Sequence, residues 1–198
     1  MATSIFTKYQ NEFSGVGIAP RTKESREWFM DKLSDLKNIN RNNILKDDNL
    51  ILKNKPRIGS MYMYFYDPKT KDSLPYYDRF PLIIMVESAP GGFYGLNLHY
   101  IPPVLRAKLL DQLILNTNNK RFDDTTKMKI NYSMLTSIRK LRWYEPCFKR
   151  YLFKHIQQRI VMVPAPEWEI ATFLPTEQFK KSKKNTVWKE SRKLLGKP

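Results

Sequence analysis

Residues 59–100 read GSMYMYFYDPKTKDSLPYYDRFPLIIMVESAPGGFYGLNLHY, and they limit the fold more than any other stretch. Met61, Met63 and Phe65 alternate with Tyr62, Tyr64 and Tyr66, the period-2 pattern of a strand with two unlike faces. One face is sulfur and aliphatic, the other tyrosine. Asp67 and Pro68 break the strand, and a polar turn of Lys69, Thr70, Lys71, Asp72 and Ser73 follows. Leu82, Ile83, Ile84, Met85 and Val86 then form a second apolar run, with Pro81 at the strand start where a missing N–H is tolerated. Ala89, Pro90, Gly91 and Gly92 supply the next turn, and residues 93–100 alternate again. No connection is long enough for a crossover helix, so these strands predict an antiparallel meander.

A chain of 198 residues can bury a core without metal or disulfide staples. Its one cysteine, Cys147, has no partner in the chain, which fits a reducing compartment. The first residues lack the apolar core of a signal peptide, and no apolar run approaches bilayer length, so no membrane is expected. The net charge of +16 points instead to a polyanionic partner. It is concentrated: residues 139–159 carry a local +6 and residues 180–197 a local +7, together 13 of the 16, while the meander is near neutral.

The remaining segments read as follows. Residues 1–20, with Gly15, Gly17 and Pro20 and little periodicity, suggest a flexible arm. Thr22 is placed to cap a helix that carries Phe29, Leu33 and Leu36 on one face. Pro102 and Pro103 precede a second helix with Leu105, Leu109 and Leu113 inward and Arg106, Lys108 and Asp111 outward. Residues 124–141 predict a third, burying Met128, Tyr132, Leu135, Ile138 and Leu141. Residues 146–158 predict a fourth, with Phe148, Leu152 and Ile156 inward, and residues 160–163 one more strand. The basic run at residues 180–185 has no apolar face and is expected to order on a partner. The whole predicts an α+β fold: a small antiparallel sheet, flat or curled into an SH3-like barrel, packed by three or four helices. The expected layout is an arm over residues 1–20, a single α+β domain over 21–175 and a basic C-terminal extension over 176–198.

Cations beside flat rings are what phosphate backbones and exposed bases select for. The candidate nucleic-acid contacts are therefore Arg139, Lys140, Arg142, Trp143, Lys149, Arg150 and Lys154, with Lys180, Lys181, Lys183, Lys184 and Arg192 from the C-terminal run. A single run of charges is usually a solvated helix face; two runs almost without acid favour a nucleic acid. The turn from Leu74 to Pro81 places Tyr76, Tyr77 and Arg79 on a short rigid loop, either a recognition surface or a plug over the end of the sheet with Asp78 bonding to backbone N–H groups. Asp67, Asp72, Asp78 and Glu87 offer the elements of a Mg²⁺ site, but turn aspartates mostly cap backbone. No zinc-ligand, nucleophile-elbow or phosphate-loop spacing occurs. His99, His155 and Cys147 read as packing residues or, for the histidines, phosphate contacts. No catalytic group, metal or cofactor is expected.

Three segments, MYMYFYDPKTKDSLPYYDRFPLIIMV, GFYGLNLHYIPPVLRAKLLDQL and EWEIATFLPTEQFKKSKKNTVWKESRK, resemble the DNA end protector proteins of T4-like tailed bacteriophages and cyanophages. The resemblance covers roughly residues 20 to 195, and the YDP…LPYYD…FPL block is its most specific part. It implies a head-completion protein of the virion that binds the ends of packaged double-stranded DNA, enters the host cytoplasm with it and blocks the host recombination exonuclease. It brings no catalytic motif. The alternative expectation is a neck, tail or baseplate subunit whose basic tail secures neighbouring virion proteins. A Mg²⁺-dependent nuclease is the third.

Overall fold

The computed structural model describes residues 4–118, 121, 123–141 and 144–193. Along the chain lie α1 (Ile5–Ser14), α2 (Lys23–Ser34), α3 (Arg41–Ile44), β1 (Ile51–Leu52), β2 (Met61–Tyr66), β3 (Tyr77–Asp78), β4 (Leu82–Ala89) and β5 (Gly92–Asn97). They are followed by α4 (Pro103–Asn118), α5 (Asp124–Arg139), β6 (Phe148–Leu152), β7 (Ile156–Val163), α6 (Trp168–Phe173), β8 (Phe179–Lys180) and α7 (Lys184–Lys193). The architecture is α+β. Six strands form one antiparallel sheet in the order β1-β7-β2-β4-β5-β6, and β3 pairs with β8 in a separate two-stranded ribbon.

The expected meander is β2, β4 and β5, which are neighbours with Met61 opposite Ile84 and Ile83 opposite Asn97. The SH3-like barrel is not formed. β1 and β6 are the two edges and do not pair, and β1 has only two residues, too few to carry the hydrogen-bond ladder that closure requires.

The alternation in β2 does sort two environments. Met61 and Met63 join Leu82, Ile84, Val86 and Leu96 in the main core, against helix residues such as Phe29, Leu33, Leu109, Leu113 and Ile170. Tyr62, Tyr64 and Tyr66 lie in a second cluster with Ile83, Met85, Phe93, Tyr151 and Ile160. There Tyr64 meets Tyr66, Phe93 and Tyr151 edge to face, standing 5.6 Å from Tyr151 at 88°, the geometry that aromatic quadrupoles favour.

On the helical side, Thr22 caps α2 in a reciprocal box with Ser25, and Phe29 and Leu33 are buried as expected. Leu109 and Leu113 of α4 are also buried. Arg106, expected outside, is only 3% exposed. Its guanidinium donates to the carbonyls of Ile101, His99 and Thr172, and burial lowers its pKa to about 10. Asp111 pairs with Arg26, which also reaches Glu169. In α5 Leu135 is buried, but Tyr132 and, just beyond the helix, Leu141 are exposed. The side chain of Met128 lies outside the described residues.

Three further stretches depart from the sequence reading. Residues expected as an arm form α1, capped by the Ser4 hydroxyl, with Phe6, Tyr9 and Phe13 buried in the main core. The spacing of these three is helical, and α1 packs on α6. The predicted helix over 146–158 is instead β6 and β7, joined by a 3-10 turn at Phe153–His155. The C-terminal run is ordered on the rest of the chain: β8 pairs with β3, and α7 buries Val187 while the Trp188 indole N–H donates to the carbonyl of His99. No helix among the described residues is long and apolar enough to cross a membrane.

Candidate nucleic-acid interface

The site begins with β6, the last strand of the sheet. A 3-10 turn at Glu145–Cys147, opened by Pro146, delivers the chain into Phe148–Leu152, which pairs with β5 from Leu96–Phe148 to Gly92–Leu152. The two backbones come very close at the far end. A Cβ on Gly92 would sit 1.9 Å from the Tyr151 carbonyl oxygen, so only glycine lets β6 reach its position.

Along the outer edge of β6 runs a cleft of about 560 Å³. Tyr66 and Tyr151 line it from the sheet, Tyr76, Tyr77 and Tyr100 from the opposite wall, and Lys149 and Arg150 from the strand itself. Lys69 and Thr70 of the turn after β2 also line it.

The opposite wall, residues 67–78, is held from several sides. Lys71 pairs with Asp67. The Lys181 ammonium donates to the carbonyls of Lys71, Asp72 and Leu74 at 2.7, 2.9 and 3.1 Å. Tyr77 and Asp78 pair with Lys180 and Phe179 across the small ribbon. Tyr76 and Tyr100 pack with ring centroids 6.0 Å apart, and Tyr100 meets Phe179 edge to face.

Asp78 is the hub of this wall. One carboxylate oxygen accepts from the backbone N–H groups of Phe80 and Gln178; the other accepts from the Asn97 amide and contacts His99 Nδ1 at 2.6 Å. Burial alone would raise its pKa, but His99 and the donors around it hold it below the ordinary aspartate value. His99 Nε2 lies 3.1 Å from the Thr176 hydroxyl. A hydroxyl, an imidazole and a carboxylate thus stand in hydrolase order, yet all three residues are buried, and Thr176 has no exposed surface for a substrate to approach. The arrangement ties β3, the end of β5 and the segment before β8 together.

The cations differ in how they are engaged. Lys149 is half-buried, its ammonium 4.5 Å from the centre of the Tyr100 ring. Burial lowers its pKa and the neighbouring Cys147 opposes that shift. Cys147 is itself buried, which pushes its thiol up to about 12. Arg150 is exposed and donates to the Pro90 carbonyl.

Of the residues singled out in the sequence, Lys149 and Arg150 share the cleft with Tyr76 and Tyr77, which the sequence treated as a separate candidate. Lys180 pairs with Tyr77 and is exposed, whereas Lys181 is occupied in bracing the wall. Lys154 is exposed in the 3-10 turn after β6, and Lys183 is exposed before α7. Lys184 pairs with Glu177 at 3.2 Å. Arg139 pairs with Glu87 and lies over the Tyr94 ring, and Lys140 follows it, exposed, at the end of α5. Arg142 and Trp143 lie outside the described residues, as does the side chain of Arg192 in α7. His155 is in the turn between strands, not in a helix, with Nδ1 3.0 Å from the Asp67 carbonyl. The acidic candidates are apart: Asp67 serves Lys71, Glu87 serves Arg139, and Asp78 is buried. Among the described residues no group of three His, Cys, Asp or Glu side chains could share a metal ion.

The sequence reading missed Lys69, Tyr66 and Tyr100 as cleft residues. Lys69 and Tyr66 flank the strand break at Asp67 and Pro68, so an aromatic strand end running into a basic turn was the available signal.

Residues 1–193 match the family model described as Phage T4 terminal DNA protecting protein. No curated protein and no solved structure matches the chain.

Proposed function

This chain belongs to the phage T4 terminal DNA protecting protein family, and from that membership we propose that it binds the ends of double-stranded DNA without reading sequence and shields them from exonuclease. The observation that carries this reading is the cleft along β6, where Lys149 and Arg150 stand among five tyrosines. Cations there neutralise backbone phosphates, and each contact releases a counterion regardless of sequence. Of the tyrosines, Tyr76 and Tyr77 are half-buried and can stack on any base. Exposed Lys140, Lys154, Lys180 and Lys183 extend the contact to the flanking duplex, and the sequence candidates Arg142, Trp143 and Arg192 add charge and a ring to the same basic runs. Arg139 and Lys184, already paired with Glu87 and Glu177, add less.

Protection in this scheme is occlusion, so the protein acts by binding and needs neither metal nor nucleophile. Its places of action are the virion and, after DNA entry, the cytoplasm of the infected host. The reading as a subunit whose basic tail threads between virion proteins is less well supported, because β8 and α7 are packed on their own chain.

The direct test compares the affinity for a linear blunt duplex with that for the same DNA as a closed circle, at two salt concentrations. End binding predicts a preference for the linear form that persists at the higher salt. Equal affinity for both forms, falling together with salt, would overturn it.

A further inference from the structure

We propose that the cleft along β6 holds a single nucleotide splayed from the end of one DNA strand, with its base among the tyrosines and its phosphate at Lys149 and Arg150. This deepens the proposed end binding and rests on it. A duplex cannot enter a cavity of about 560 Å³, but one nucleotide can, because sites for molecules of that size run to about 300–1,000 Å³. The lining matches the chemistry of that one unit. Tyr76 and Tyr77 are half-buried in the lining and leave ring surface for a base, while Tyr66, Tyr100 and Tyr151 are buried and back the slot. Lys149 is half-buried at the same place with exposed Arg150 beside it, while the Asp78 carboxylate in the lining is engaged by its own donors, so a phosphate there would meet two cations.

The walls are set before any ligand arrives. Lys181 fixes the turn through three carbonyls, the Asp78 carboxylate accepts from the backbone N–H groups of Phe80 and Gln178, and Tyr77 is held by its pairing with Lys180. A preformed slot loses little entropy on binding. Selection for ends follows from the nucleic acid: unstacking costs least where a base is unpaired or terminal, and an interior nucleotide must be torn from two neighbours. A pocket that admits only a splayed nucleotide therefore recognises an end by its looseness. It reads no sequence, since every base has a face to stack.

The experiment places 2-aminopurine at the terminal or at an interior position of a short duplex, blunt or with a one-nucleotide overhang, and titrates the full-length protein. Free 2-aminopurine nucleoside monophosphate is titrated alongside. The terminal probe should change its fluorescence saturably and the interior probe should not, and the overhang should bind about tenfold more tightly than the blunt end at equal salt. Tyr77→Ala should remove the terminal signal and the overhang preference, whereas Tyr77→Phe, which keeps the ring, should retain both. A silent terminal probe with equal affinity for blunt and overhanging ends would overturn the nucleotide slot while leaving a preference for linear DNA intact. Equal binding of the free mononucleotide would make the cleft a site for soluble nucleotides and overturn the proposal. No binding to any linear duplex would overturn both this inference and the end-binding reading.

Discussion

Replacing Asp78 with alanine removes the acceptor of four hydrogen bonds at once, from the Phe80 and Gln178 backbones, the Asn97 amide and the His99 ring. Three of these bonds are buried and the one from Gln178 is part-buried, Asp78 itself being 4% exposed. Breaking a buried charged network from one side costs about 3–5 kcal/mol. In a chain of this size a kilocalorie moves the melting temperature by about 2–4 °C, so Asp78→Ala should melt roughly 6–20 °C lower. Asp78→Asn should cost less, about 1–3 kcal/mol. Its oxygen can keep both backbone donors, and His99 can move its proton to Nε2, where the Thr176 hydroxyl accepts it. What it loses is the charge and the bond from Asn97, whose amide still reaches Tyr151. The same residue shapes acid stability. Its folded pKa is depressed, so its contribution is complete above the ordinary value of about 3.9 and is lost as the pH falls through the lower folded value. Thermal and denaturant unfolding between pH 2.5 and 7 would measure both effects. A loss below about 1 kcal/mol for Asp78→Ala, or an unchanged acid slope in Asp78→Asn, would refute the view of Asp78 as the hub of the cleft wall.

Lys149→Gln and Arg150→Gln should each weaken binding to linear duplex and lower the slope of log K against log salt by about 0.9, as read by fluorescence anisotropy across a salt series. Lys181→Met should cost about 1 kcal/mol by releasing an exposed but threefold-bonded ammonium. Hydrogen exchange at residues 69–74 should rise in that variant and stay unchanged in Lys183→Gln. Gly92→Ala should push β6 away from β5, since the added carbon would meet the Tyr151 carbonyl; a lower melting temperature together with weaker DNA binding is the expected result.

Much of the sheet is legible in the sequence because β2, β4 and β5 are consecutive and joined by turns whose residues announce themselves, and because the methionine and tyrosine faces of β2 meet different cores. β6 and β7 are not legible in the same way. Phe148, Leu152 and Ile156 stand four residues apart and imitate a helix, while the 3-10 turn at Phe153–His155 interrupts the alternation that would reveal two strands. The helical spacing of Phe6, Tyr9 and Phe13 was visible, but the glycines that follow drew the segment toward an arm. In the C-terminal run the lysines hide Val187 and Trp188, the two residues that dock α7. The cleft could not be read at all as a unit. It joins the turn after β2 to a strand far along the chain, and contacts such as the β3–β8 ribbon and the Lys181 brace, invisible in the sequence, bring the C-terminal basic run to the same wall.

The most direct test of the account is digestion of a linear duplex by a processive exonuclease in the presence of the protein, with the Lys149→Gln, Arg150→Gln double variant in parallel. Wild-type protein at saturating concentration should leave the ends intact, and the double variant, folded and at equal concentration, should let digestion proceed. Degradation at the unprotected rate with wild-type protein bound would contradict end protection, and full protection by the double variant would remove the cleft from it.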